Sequence, residues 1–135
     1  MRGLTVLLVE DAADTRDVLE RLLEADGAEV LATGSARHAV ELAAVHEIDV
    51  LLTDLGLPDI PGEALIRRVL ADAPRRPRVV AITGYGEPFA SRARVAGADV
   101  VLTKPIGWNE LVPHLTASEP DAVVAQATAS PSRPL

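Results

Sequence analysis

The sequence predicts an α/β fold, a doubly wound sheet of five parallel strands in the order 2-1-3-4-5 with helices on both faces. Two observations carry this. Five short runs rich in Val, Leu and Ile recur along the 135 residues, and they are continuously apolar rather than alternating, the mark of strands covered on both sides. Each is followed by a segment with helical spacing, and that strand–helix rhythm calls for right-handed crossovers and parallel pairing.

The elements follow in order. Thr5–Val9 is the first strand; Glu10 and Asp11 come straight after it, so the apolar run is too short for a signal segment or a membrane span. The first helix presents Val18, Leu19, Leu22 and Leu23, and Asp14 or Thr15 suits its N-cap better than Glu10 or Asp11. Glu29–Ala32 is the second strand, and Ala39, Val40, Leu42 and Ala43 mark the second helix. Val50–Thr53 leads to a helix over Gly62–Ala73 that Pro74 closes. Val79–Thr83 leads to Pro88–Ala96, a helix that opens on proline and ends at Gly97. Val100–Thr103 leads to Asn109–Thr116, where Pro113 should kink or shorten the helix by removing a hydrogen bond. Residues 1–117 read as one folded domain, and residues 118–135, SEPDAVVAQATASPSRPL, as a flexible tail rich in Ser, Ala and Pro.

With 48% apolar and 24% charged residues, the composition suits a globular domain and argues against disorder through most of the length. The absence of cysteine excludes a disulfide framework and a thiolate metal site and fits a cytoplasmic location. A net charge of -7 lacks the clustered Lys and Arg that nucleic acid binding draws on. Neither nucleic acid nor membrane is an expected partner. Of thirteen basic residues twelve are Arg, and the single lysine is Lys104. Chance would explain that count, and so would a site needing a compact ammonium in place of a planar guanidinium.

In a sheet of this order, ligands bind beyond the carboxyl ends of the strands, where the first and third strands are neighbours. The polar residues at those ends are Glu10 and Asp11, Asp54, Thr83 and Lys104. Three carboxylates sharing one crevice repel one another, and protonation or a hard divalent cation relieves the repulsion. Mg2+ is the economical answer, because it needs only one or two carboxylates and keeps exchangeable waters. A carboxylate is also a nucleophile toward phosphorus, provided the charge on the transferred group is neutralised. The cation and Lys104 would hold phosphoryl oxygens, and the Thr83 hydroxyl offers a hydrogen bond that forms only once the phosphoryl group arrives.

The stretches LLVEDAADTR, LLTDLGLPDIPG, AITGYG and LTKP, in this order and each on a different strand end, resemble the receiver domains of bacterial response regulators. The resemblance runs from about Leu4 to about Leu115. It implies a flavodoxin-like receiver fold and a stand-alone two-component module whose phosphoacceptor is Asp54. The phosphodonor would be a sensor histidine kinase or a histidine phosphotransfer protein, and the output a changed affinity for a downstream protein. It further implies that Asp11, Asp54 and the Gly56 carbonyl ligate Mg2+, that Glu10 reaches the metal through water, and that the Lys104–Pro105 bond is cis.

The chain also departs from common family patterns. Gly56, two positions after the phosphoacceptor, leaves room for an attacking water that Tyr85, two positions after Thr83, would partly cover. Val101 stands where many receivers carry an aromatic residue, so an aromatic rotamer toggle is not available; output would rest on the Tyr85 loop and the Pro88–Ala96 helix. Two other readings remain: a phosphohydrolase of the haloacid dehalogenase type, whose motif wants an Asp where Gly56 stands, and a receiver-like scaffold that is never phosphorylated. Apart from self-catalysed transfer and hydrolysis of its own phosphoryl group, no enzymatic activity is expected. Tyr85, Phe89 and Trp108 read as local packing and His38, His46 and His114 as surface residues.

Overall fold

The three central apolar runs become strands buried on both faces, the two edge runs are only half-buried, and the helices that cover the sheet are the segments between. The computed structural model describes residues 1–84 and 86–116; Tyr85 and the expected tail at 118–135 lie outside the described residues. The elements are β1 (Thr5–Val9), α1 (Ala13–Ala25), β2 (Glu29–Thr33), α2 (Ala36–Val45), β3 (Val50–Asp54), α3 (Gly62–Asp72), β4 (Arg78–Thr83), α4 (Phe89–Ala96), β5 (Val100–Thr103) and α5 (Trp108–Thr116). The strands form one sheet in the order β2-β1-β3-β4-β5. Every adjacent pair is parallel.

Side chains on successive strand residues point to opposite faces, and this divides the core in two. Leu7, Val9, Leu51, Val79 and Ala81 pack with residues of α2, α3 and α4, among them Ala39, Ile66 and Ala93. Val6, Leu8, Leu52 and Val80 pack with Leu23 of α1 and with Leu111 and Leu115 of α5. Buried alanines at 36, 39 and 43 on α2 and at 90, 93 and 96 on α4 let those helices lie close to the sheet.

Several boundaries differ from the sequence reading, each for a local reason. β3 includes Asp54, which stays in register with Ile82 of β4, because a ladder can continue past the point where side chains cease to be apolar. β4 begins at Arg78, in register with Val50, and the Arg78 guanidinium donates to the His114 carbonyl at 2.6 Å. The α1 N-cap is Ala12, with no side-chain cap; neither Asp14 nor Thr15 caps it, because the helix begins before both. α5 is not shortened by Pro113 and runs from Trp108 through Thr116. Pro113 is exposed, and the buried pair Leu111 and Leu115 anchors the opposite face. His38 is exposed and His46 lies just beyond α2, but His114 is half-buried rather than a surface residue. Burial lowers its pKa, and the Arg78 charge lowers it further. Gly97, at a φ of 125°, ends α4 in a conformation that side-chain-bearing residues rarely adopt.

Candidate functional site

Parallel pairing brings all the carboxyl ends of the strands to one rim, and the ladder continues one hydrogen bond past several of them. The Glu10 amide donates to the Thr33 carbonyl at 3.0 Å, the Leu55 amide to Ile82 at 2.9 Å, and the Lys104 amide to Thr83 at 2.8 Å. Glu10, Asp54 and Lys104 are therefore held by the sheet itself rather than by free loops. The Thr53 hydroxyl, fully buried, adds a 2.9 Å bond to the Asp54 carbonyl.

The side chains converge at this rim. One carboxylate oxygen each from Glu10, Asp11 and Asp54 lie within 4.8 Å of one another. Glu10 and Asp54 are only 5% and 8% exposed, whereas Asp11 is exposed. Asp54 Oδ2 receives the Lys104 ammonium at 2.8 Å, and Asp54 Oδ1 receives the Gly56 amide at 3.0 Å. Each oxygen of this carboxylate thus has a donor. Glu10 accepts from the Ala12 amide at 3.1 Å.

The electrostatics follow from this crowding. Burial pushes the Glu10 pKa above its ordinary value, and the nearby Asp54 and Asp11 charges add to the rise, against the Ala12 hydrogen bond and Lys104. The hydrogen bond to Asp54 raises the Lys104 pKa, with the Asp54, Glu10 and Asp11 charges acting in the same direction. Lys104 is held as a cation, with its side chain 43% exposed. Three hard oxygen donors around one partly buried point fit a divalent cation such as Mg2+.

Thr83 ends β4 at 1% exposure, in register with Thr103 of β5. The Lys104–Pro105 bond is cis; so is Glu87–Pro88, which carried no signal in the sequence. Gly56 is exposed, and a Cβ there would make only an ordinary 3.7 Å contact with Asp54 Oδ1. Val101 is half-buried against the α2–α4 side of the core. Beside the rim, a groove of about 810 Å³ runs between α1 and α5, with Glu10 and Lys104 at one end and Val18, Leu22 and Trp108 along it.

Two residues near the rim escaped the sequence reading. Asp59, in the loop after β3, accepts from the Ala36 amide at 3.1 Å, the Arg37 amide at 3.0 Å and the Ser35 hydroxyl at 3.2 Å. It caps a helix 23 residues upstream in the chain, a partnership no local spacing discloses. Arg16, on the first turn of α1, donates to the Glu10 carbonyl at 2.8 Å.

Residues 6–116 match the family of response regulator receiver domains. The cell cycle transcriptional regulator CtrA of Caulobacter vibrioides is 29% identical over 113 residues, covering 83% of this chain and 48% of that protein. The sensor histidine kinase AruS of Pseudomonas aeruginosa is 38% identical over 113 residues, covering 81% of this chain and 11% of that protein. The chain thus spans about half the length of CtrA and a small part of AruS. Among solved structures, a response regulator from Burkholderia pseudomallei, crystallised with a phosphorylated aspartic acid, a calcium ion and citrate, superimposes with a TM-score of 0.78. It is 27% identical, and the alignment covers 84% of this chain and 67% of that one.

Proposed function

Because the chain belongs to the response regulator receiver domains, the signalling modules of two-component systems, we propose that Asp54 is its phosphoacceptor and that transfer requires Mg2+ bound by Asp11, Asp54 and the Gly56 carbonyl, with Glu10 acting through water. The observation that carries this reading is the meeting of three carboxylates and one ammonium around Asp54 at the end of a parallel sheet. The B. pseudomallei relative, which holds both a phosphorylated aspartic acid and a divalent cation, supports it.

The phosphodonor in this reading is a histidine kinase or histidine phosphotransfer protein. An Asp54 carboxylate oxygen attacks the phosphorus of the donor's phosphohistidine. The new O–P bond forms as the N–P bond breaks, and the electron pair stays on the donor imidazole. When bound, the cation neutralises charge on the transferred oxygens. Lys104 leaves Asp54 Oδ2 for a phosphoryl oxygen, and its exposed stem permits that move. Thr83, at the end of β4, then takes a phosphoryl oxygen through its hydroxyl and draws the loop after it inward. The open space at Gly56 admits the water that later hydrolyses the acyl phosphate. The apolar groove between α1 and α5, open beside the rim, supports a protein donor. A downstream protein reads the change. The family match favours this switch over a phosphohydrolase.

The test is to mix the protein with Mg2+ and acetyl phosphate and to follow intact mass beside Asp54→Asn. One phosphoryl adduct, labile to base and missing from Asp54→Asn, is the expected result. No adduct from either acetyl phosphate or histidine kinases would leave a receiver-like scaffold that is never phosphorylated.

A further inference from the structure

Arg16 takes no part in the transfer chemistry, yet its guanidinium is fitted to the acidic turn. We propose that Arg16, seated against the bare backbone of Gly34, is a positioning residue that holds Glu10 and Asp11 in their cation-binding arrangement; this rests on reading the rim as a divalent-cation site. Glu10 is held at three points. Its amide donates to Thr33 at 3.0 Å, its carboxylate accepts from the Ala12 amide at 3.1 Å, and its carbonyl accepts from Arg16 Nη1 at 2.8 Å. The first two come from neighbouring backbone, so the third is the one a side chain supplies. It fixes the peptide between the two acidic residues, and with it the direction in which Asp11 leaves β1.

Gly34 explains how the guanidinium reaches that carbonyl. Its φ lies outside the left-handed region, so backbone conformation does not demand glycine. What excludes a side chain is Arg16: a Cβ at position 34 would lie 2.6 Å from Arg16 Nη1 and 3.5 Å from the Glu10 carbonyl oxygen. The missing side chain is the seat of the guanidinium. Arg16 meets Glu10 at its main-chain carbonyl, so it works through the backbone.

The two residues form one device, and a double-mutant cycle reads it. Mg2+ binding is measured calorimetrically on the full chain, together with thermal unfolding in chelator, for wild type, Arg16→Ala, Arg16→Lys, Gly34→Ala and the Arg16→Ala/Gly34→Ala double variant. Each alanine variant is expected to weaken Mg2+ binding roughly tenfold, the scale of losing an outer partner of a metal ligand. The double variant binds no more weakly than Arg16→Ala, since both changes remove the same contact. Arg16→Lys, which keeps a donor, recovers part of the affinity. Gly34→Ala displaces only the end of a flexible side chain, so its unfolding in chelator stays near wild type even if Arg16→Ala fails to fold. Wild-type affinity in both single alanine variants, or fully additive losses in the double, would overturn the inference and leave the cation site standing. No Mg2+ binding by the wild type at millimolar concentration would overturn the cation site, and the inference with it.

Discussion

Glu10 shows how the rim trades stability for readiness. Its folded-state pKa is raised, chiefly by burial, so the folded chain binds the Glu10 proton more tightly than the unfolded chain does. Stability from this group is therefore greatest below the ordinary carboxylate range and is lost as pH rises through the folded value. Without metal, Glu10→Gln is expected to raise the Tm by a few degrees at pH 7 and to leave it unchanged near pH 3.5. Thermal unfolding in chelator at the two pH values measures this. An equal gain at both would assign the effect to packing rather than charge. Excess Mg2+ should abolish the advantage at pH 7, because the cation favours the ionised carboxylate that glutamine lacks.

At the scale of elements, Asp59 ties the loop after β3 to the start of α2 through three donors. Those hydrogen bonds, with the Arg37 amide first, depress its pKa. Its contribution is complete above the ordinary carboxylate range and falls away on acidification through the folded value. Asp59→Ala is expected to lower the Tm by a few degrees at pH 7, and Asp59→Asn, which keeps an acceptor, by less. A scanning calorimeter distinguishes the two. The cap also marks where legibility ended. The five strands and five helices could be read because apolar runs and their spacing are local signals, and parallel pairing then placed Glu10, Asp54, Thr83 and Lys104 at one rim. Asp59 and Arg16 could not, since their partners depend on which chain segments the fold brings together. The start of α1 was misread because its N-cap is Ala12, a residue with no capping side chain to announce it. The His114 environment was missed because Arg78 approaches from another element.

For the whole molecule, the proposed cation site links metal to folding, since the three carboxylates converge only in the folded chain. Adding Mg2+ to about a hundred times its Kd should raise stability by about 2.7 kcal/mol, with reversal by chelator. Urea unfolding with and without the metal measures the gain, and Asp54→Asn should diminish it. No increase in the unfolding midpoint would mean that the folded chain does not bind the cation, and an increase unchanged in Asp54→Asn would place it elsewhere.

The sheet separates two kinds of demand along its strands. Residues such as Leu7, Leu51 and Val80 are fully buried within its body, while Glu10, Asp54 and Lys104 occupy the last position or the one just past it. Heredity can therefore act on each set with little interference from the other. The core can drift among apolar residues of similar volume while the rim stays fixed, and a lineage that lost its rim would keep a folded chain.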